Sequence, residues 1–169
     1  VRYGNVMGSR GSVIPLFFAQ KEQGVLSITD ESMTRFMITL EEGVSLVWKA
    51  FDDLVGGETY VKKIPSMKVT DLAHVIAPNA KHEIIGIRPG EKLHEQMISK
   101  EDSYYTYEYD NYYKILPVIN EWATSKERIK DGKKVPEGFC YTSDNNHDWM
   151  TEETLKRWIE NNREKIGKI

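Results

Sequence analysis

The chain has 169 residues, 23 of them basic and 26 acidic, so its net charge is −3 at neutral pH. A nearly balanced, slightly acidic protein is a poor general ligand for nucleic acid or for a membrane surface, and we expect neither as a partner. The single cysteine, Cys140, excludes an internal disulfide and a cysteine-based zinc cluster, which fits a reducing compartment such as the cytoplasm. No apolar run approaches the ~20 residues of a membrane-spanning helix.

The N-terminal residues VRYGNV (1–6) have the pattern of a core strand, but no preceding element is available to pair with it. Because the first residue is also not methionine, we interpret the chain as part of a longer protein that lacks its N-terminal portion. A glycine-containing loop, MGSRGS, follows. The next residues predict an apolar helix over 14–20, with Pro15 tolerated in its first turn, and a short strand over 27–29.

The clearest helix is predicted over 39–53. Thr39 and Glu42 have the spacing of a capping box, and Gly56 and Gly57 end the segment. The apolar side chains predicted to form its buried face are Leu40, Val44, Val47, Trp48 and Phe51. A strand over 59–63 and a helix capped by Thr70 are predicted next.

The segment IIGIRPGEKLHEQMIS (84–99) predicts the end of a buried strand, a turn at 88–90 and a short helix from Glu91. Such corners often bind ligands in α/β proteins. Arg88 offers a planar donor fork suited to phosphate, and Glu91 offers a carboxylate suited to paired sugar hydroxyls. A nucleotide carries both groups. The alternative is a surface ion pair with Glu91 placed to suit the helix dipole, and spacing alone leaves it open.

Six tyrosines between residues 104 and 113 alternate with polar residues, which predicts an extended segment or hairpin turning at Asp110 and Asn111. A half-buried edge or a subunit contact is favoured there over base stacking. Residues 124–136 are predicted to form a loop. Thr151 is predicted to cap the last helix, which ends at Gly167. The predicted core face of that helix is Leu155, Trp158 and Ile159.

The residues carry few signals of catalysis. No GxGxxG loop occurs, no pair of histidines has metal-ligand spacing, and the loop serines Ser9 and Ser12 have no histidine near them in sequence; we expect no metal site. His94 is interpreted as a packing residue. Composition and spacing therefore reach no further than an α/β chain with a candidate site for a nucleotide-like anion.

Four ordered segments resemble the C-terminal half of the UDP-N-acetylglucosamine 4,6-dehydratases, which are extended short-chain dehydrogenases/reductases. They are VRYGNVMGSRGSVIPLF (1–17), ITDESMTRFMITLEEGV (28–44), GGETYVKKIPSMKVTDLA (56–73) and residues 84–99; FCYTSDNNHDWMT (139–151) is similar to the family's tail. The nearest resemblance is to the inverting enzymes of pseudaminic acid biosynthesis, which serve flagellin glycosylation and surface polysaccharides.

The resemblance implies an α/β fold: the C-terminal part of an NAD(P)-binding Rossmann-type domain together with the smaller substrate-binding domain. Residues 1–50 would hold the last strands and helices of the Rossmann-type domain with substrate-domain insertions. Residues 51–169 would be mainly substrate-binding domain and C-terminal tail.

The resemblance also implies an NADP-dependent lyase that acts on UDP-N-acetylglucosamine and assembles as a homo-oligomer. The sugar is oxidised at C4, loses water across C5 and C6, and is reduced at C6 with inversion at C5. The family's Tyr-x-x-x-Lys pair has no counterpart here, because no tyrosine is followed by a lysine four residues on. We therefore assign no catalytic residue and expect the isolated chain to be inactive.

Binding residues carry over from the resemblance position by position. The cofactor-binding residues it implies are Val6, Met7, Gly8, Ser9 and Arg10. The substrate-binding residues it implies are Asn5, Val13, Thr29, Arg88 and Glu91, with the last two at the diphosphate and ribose. For Arg35, a role as a second cation at the phosphates and a purely structural role are equally favoured. The alternatives are a stand-alone UDP-sugar-binding module without catalysis and a related nucleotide-sugar epimerase.

Overall fold

The computed structural model describes residues 1–118 and 125–167 as a mixed α/β protein. The strands are β1 (Asn5–Val6), β2 (Val25–Ile28), β3 (Thr34–Ile38), β4 (Thr59–Lys62), β5 (Ser66–Lys68), β6 (Lys81–Ile84), β7 (Gln96–Ile98), β8 (Thr106–Glu108), β9 (Tyr112–Ile115), β10 (Lys133–Lys134) and β11 (Tyr141–Thr142). The helices are α1 (Val13–Lys21), α2 (Leu40–Asp53), α3 (Val69–Ile76), α4 (Lys126–Ile129) and α5 (Glu152–Asn162), with a 3-10 turn over Asp102–Tyr105.

The chain divides into two compact units, each built from three segments. The unit that we call the hairpin unit comprises Val1–Tyr3, Thr39–Ile64 and Gln96–Thr142. The other, the cavity unit, comprises Gly4–Ile38, Pro65–Glu95 and Ser143–Ile169. Each unit has its own buried apolar cluster.

The cavity unit contains two small sheets. In one, β1 runs parallel to β3, and β3 pairs antiparallel with β5; in the other, β2 and β6 are parallel. Parallel neighbours are typical of α/β folds, in which helices cover the sheet. Here α1, α3 and α5 cover a core that includes Ile14, Phe17, Leu26, Ile28, Met37, Leu72 and Leu155. The predicted α/β class is confirmed.

The hairpin unit is organised by a four-stranded antiparallel sheet in the order β10-β8-β9-β4. The tyrosine-rich segment forms the β8–β9 hairpin, as predicted, and the turn contains Asp110 and Asn111. The rings of Tyr109 and Tyr112 stack with their centroids 4.5 Å apart. Tyr113 is buried against Phe139 and Tyr141. These tyrosines therefore pack within the unit.

Helix α2 begins as predicted but presents a different face to the core. The Thr39 hydroxyl accepts from the Glu42 N–H and the Glu42 carboxylate accepts from the Thr39 N–H, which completes the capping box. The buried positions, however, are Gly43, Leu46, Ala50 and Asp53. Trp48 and Phe51, predicted to be core residues, are 65% and 67% exposed. The predicted apolar face was wrong because the hairpin unit buries the polar Asp53 on this side of the helix.

The segment 84–99 departs most from its prediction. Strand β6 ends at Ile84, and Ile85 and Ile87 are about half exposed, so the predicted buried strand end was wrong. Residues 91–95 are not helical, and residues 96–98 form β7. The carbonyl of Leu93 accepts from the Thr34 N–H, and the Glu95 backbone bonds to Ser143. These tertiary hydrogen bonds occupy groups that a helix would have used internally.

The remaining predicted elements agree with the structure in part. Helix α3 begins after Lys68 without a side-chain cap, so the predicted Thr70 cap was wrong. Strands β3 and β5 were not predicted, and α4 and β10 lie inside the predicted loop, whose first residue falls outside the described residues. Helix α5 is capped by Thr151 and buries Leu155 and Ile159, as predicted, while Trp158 is half-buried. The proposed assignment of residues 1–50 and 51–169 to two domains stays a prediction.

Among the described residues, no helix combines the length and the apolar character needed to cross a membrane.

Candidate functional site

The corner containing Arg88 and Glu91 is a tight turn closed by the Glu91 carboxylate. The Glu91 N–H donates to the Arg88 carbonyl over 3.0 Å. One carboxylate oxygen of Glu91 accepts from the Arg88 N–H over 3.3 Å, and the other accepts from the Thr29 hydroxyl over 3.4 Å. Glu91 thus joins the turn to the residue that follows β2. The alternative of a surface ion pair between Arg88 and Glu91 is not what the structure shows, since Glu91 engages the backbone N–H of Arg88 and not its guanidinium.

A cavity of about 240 Å³ lies beside this turn, within the cavity unit. All five residues predicted to bind substrate line it: Asn5, Val13, Thr29, Arg88 and Glu91. The remaining wall is largely apolar and consists of Val6, Leu16, Phe17, Met33, Met37, Val69 and Ile85, with Gly11, Ser12, Ser27 and Arg35. An apolar pocket with a few convergent polar groups is the usual form of a small-molecule site.

The N-terminus of α1 opens onto this cavity through Ser12 and Val13. The Ser12 hydroxyl donates to the Ser9 carbonyl over 2.6 Å, so it does not cap the helix. No acidic side chain lies in the first helical turn. A helix N-terminus without a capping carboxylate or hydroxyl retains unpaired N–H groups and favours a bound anion. Together with Arg88, it gives the cavity a preference for negative charge.

The predicted cofactor-binding loop, Val6 to Arg10, is divided between the core and the surface. Met7 and Gly8 are buried, whereas Ser9 is half-buried and Arg10 is exposed. Gly8 has φ +75°, its carbonyl accepts from the Gly167 N–H over 2.7 Å, and a β-carbon there would lie 3.3 Å from Ile166. Of the five, only Val6 also lines the cavity. Met7 and Gly8 are therefore held in the core, Val6 and Ser9 are partly accessible and Arg10 is exposed, and binding of a cofactor by this loop stays a prediction.

Two residues of β3 hold the segment that follows the turn, and sequence reasoning did not assign them to the site. The Arg35 guanidinium donates to the carbonyls of Thr34 and Leu93 over 2.7 and 2.9 Å. It also lies 3.6 Å from the Glu95 carboxylate and 4.0 Å from that of Glu91. The sequence left a phosphate-binding role and a structural role equally open for Arg35, because pairing with residues about 60 positions away leaves no mark in a local pattern.

Thr34 also holds this segment in place, through hydrogen bonds of its side chain. Its buried hydroxyl lies 2.8 Å from Nδ1 of His94 and 2.7 Å from the Ser143 hydroxyl. Ser143 in turn accepts from the Glu95 N–H over 2.9 Å. His94 is therefore a hydrogen-bonded packing residue, as interpreted from the sequence.

The hairpin unit contains a separate buried charge network. Lys114 is fully buried, and its ammonium lies 2.6 Å from the Asp53 carboxylate, which also bonds to Lys130 and accepts from the Tyr60 hydroxyl over 2.7 Å. Burial alone would raise the pKa of Asp53, but the hydrogen bonds from Lys114, Lys130 and Tyr60 outweigh it and hold that pKa well below its usual range. The pKa of Tyr112 is raised to about 12 by burial and by the nearby Asp53 charge.

Within residues 1–118 and 125–167, no cluster of three or more histidine, cysteine or carboxylate side chains is arranged to hold a metal ion.

Comparison with known proteins identifies the family to which this chain belongs. A family model described as polysaccharide biosynthesis protein matches residues 1–117. The crystal structure of Pen from Bacillus thuringiensis superposes with a TM-score of 0.81 at 34% identity, covering 96% of this chain and 49% of that one. The parallel pairing of β1 with β3 and of β2 with β6, together with this match, defines a Rossmann-type α/β protein. The chain belongs to the polysaccharide biosynthesis family of extended short-chain dehydrogenases/reductases.

The names of individual relatives are more specific than the description of the family. The chain is 54% identical over 162 residues to a protein named UDP-N-acetylglucosamine 4,6-dehydratase (inverting) from Campylobacter jejuni, covering 91% of this chain. It is 42% identical over 149 residues to a protein named UDP-glucose 4-epimerase from Rickettsia conorii, covering 85% of this chain. The chain spans about half the length of these relatives, 48% of the first and 44% of the second.

Proposed function

We propose that this chain is the UDP-sugar-binding part of an inverting UDP-N-acetylglucosamine 4,6-dehydratase. The observation that carries the proposal is that Asn5, Val13, Thr29, Arg88 and Glu91, drawn from four separate segments, surround one cavity. The 54% identity to a relative of that name supports the choice of activity. The diphosphate would lie at Arg88 and the α1 N-terminus, and the uridine would lie against the apolar wall.

The proposal includes a nicotinamide cofactor, NADP, which would accept hydride from the sugar and return it. Val6, Ser9 and Arg10 would contact it through side chains, and Met7 and Gly8 through the backbone. The product would enter pseudaminic acid, flagellin glycan or surface polysaccharide synthesis in the cytoplasm, and the complete enzyme would be a homo-oligomer.

The 42% identity to proteins named UDP-glucose 4-epimerase supports a second candidate, a nucleotide-sugar epimerase. Both candidates use the same UDP-binding cavity. The stereochemistry of the product, determined by NMR for the enzyme that contains this chain, separates them: inversion at C5 with loss of water supports the dehydratase, and inversion at C4 alone supports the epimerase.

Binding is tested by calorimetric titration of the chain with UDP, uridine and pyrophosphate. UDP should bind at least about tenfold more tightly than either part, because only UDP engages the anion-binding and apolar walls together. Equal affinity for UDP and pyrophosphate would show that the apolar wall takes no part, and the proposed nucleotide site would then be wrong.

A further inference from the structure

Arg35 lines the cavity, and its guanidinium faces protein carbonyls and carboxylates. Its side chain is only 12% exposed. One terminal nitrogen donates to two backbone carbonyls, Thr34 and Leu93, and the guanidinium also faces the carboxylates of Glu91 and Glu95. A guanidinium has three nitrogens in a fixed plane; here one donates to the two carbonyls, and the other two face carboxylates, 3.6 Å from Glu95 and 4.0 Å from Glu91. Arg35 is therefore poorly placed to be a second phosphate ligand.

Apart from the carbonyl of its neighbour Thr34, the groups that Arg35 engages belong to one short stretch. Leu93, Glu91 and Glu95 lie on the segment that continues from the Arg88 turn. This segment has no internal helix or strand hydrogen bonding between residues 91 and 95, so its shape depends on tertiary contacts. The Thr34–His94 and Ser143–Glu95 contacts fasten the far side of the same stretch.

We propose that Arg35 is a positioning residue that aims the Glu91 carboxylate at the ribose hydroxyls of a bound nucleotide. The Arg35 guanidinium lies 4.0 Å from the Glu91 carboxylate and donates a hydrogen bond to the Leu93 carbonyl, and these two contacts keep the Glu91 side chain from turning out to solvent. Arg35 thereby sets the preference of the site for a ribonucleotide over a deoxyribonucleotide, while Arg88 holds the phosphates. This inference rests on the proposed function of the cavity.

The test compares Arg35→Gln, Glu91→Gln and the double variant, with Arg163→Gln as the matched control. Arg163 is an exposed arginine of the same unit that lies at the end of α5 and does not line this cavity. Dissociation constants for UDP, 2′-deoxy-UDP and pyrophosphate are measured by calorimetry. The unaltered chain and Arg163→Gln should prefer UDP to 2′-deoxy-UDP by about tenfold, the value of a charged hydrogen bond.

Each of the two single variants should reduce that preference to below about threefold, and the double variant should reduce it no further, since both changes remove the same interaction. Pyrophosphate affinity should stay within about twofold of the unaltered chain. If Arg35→Gln weakens pyrophosphate binding tenfold, or if the two changes multiply, Arg35 binds the ligand directly and the inference is overturned.

A second measurement separates this inference from the proposed function. Amide hydrogen exchange of the segment 88–95, measured without ligand, should be at least about tenfold faster in Arg35→Gln than in Arg163→Gln, because the clamp is lost. Should the unaltered chain show no preference for UDP, the proposed function fails, and faster exchange would still show that Arg35 positions the segment. Unchanged exchange would overturn the positioning role whatever the ligand.

Discussion

At the scale of single residues, Arg88 is the side chain most available to a ligand. It is exposed at the cavity edge, and no partner for its guanidinium occurs among the residues that the structure describes. An exposed cation without a partner contributes little to folding, so its substitution should affect binding and not stability. This separates Arg88 from Glu91 and Arg35, which hold the local structure as well.

Arg88→Ala should weaken UDP binding by roughly 1.5–3 kcal/mol, the range for a lost hydrogen bond to a charged group. Arg88→Lys should recover only part, because one ammonium cannot reproduce the bidentate fork. Calorimetric titration of the chain with UDP measures both, and Arg163→Ala serves as a control of the same charge. UDP binding by Arg88→Ala equal to that of the unaltered chain would mean that the turn is only structural.

The Asp53 network predicts how stability depends on pH. The folded-state pKa of Asp53 is depressed, so its stabilisation is present above the unfolded-state value of about 4 and is lost as the pH falls below it. Lys130→Gln removes one of the hydrogen bonds that depress this pKa and should make the loss shallower. Urea unfolding between about pH 7 and pH 3 measures the slope.

Lys133→Gln is the matched control for that experiment, since Lys133 is an exposed lysine of the same unit, three residues further on. Its unfolding free energy should follow the unaltered chain at each pH. Parallel curves for all three proteins would show that Lys130 does not contribute to the depressed pKa of Asp53.

At the scale of elements, helix α2 shows that the face richest in apolar residues need not be the face that is buried. Leu46→Ala should lower the free energy of unfolding by about 2–4 kcal/mol, because Leu46 is 4% exposed and packs in the core of the hairpin unit. Phe51→Ala should cost less than about 1 kcal/mol, because Phe51 is mostly solvated. Chemical denaturation measures the loss of unfolding free energy in each variant. A larger loss for Phe51→Ala than for Leu46→Ala would support the buried face that was predicted from the sequence.

The segment 84–99 gives the same lesson at the site itself. Its apolar spacing suits a helix, yet its backbone groups bond to β3 and to Ser143. Local periodicity reports which side chains are apolar, whereas distant partners decide whether the backbone bonds to itself.

At the scale of the whole molecule, the isolated chain should not convert UDP-N-acetylglucosamine, even with NADP added. It contains neither a glycine-rich cofactor loop nor a tyrosine followed by a lysine four residues on, and these motifs carry the family's cofactor binding and hydride chemistry. Incubation followed by chromatographic detection of a 4-keto sugar checks this expectation, with the C. jejuni relative as the positive control. Turnover by the pure chain would contradict it and would require catalytic residues that no motif indicates.

The sequence by itself determined the properties that depend on neighbouring residues. The capping box of Thr39 and Glu42, the Thr151 cap and the tyrosine-rich hairpin were all predicted, because short-range hydrogen bonds and alternation set them. The α/β class followed from the same local signals together with the resemblance, and the resemblance supplied Asn5, Val13 and Thr29 among the residues that line the cavity.

The tertiary structure alone decided which faces are buried and which segments touch. Asp53 lies in the core because Lys114 and Lys130, more than 60 positions away, neutralise it, and this turns Trp48 and Phe51 outward. Arg35 joins the site because β3 brings it beside Glu91 and Glu95. Pairing across such distances depends on the path of the whole chain, which no local pattern encodes.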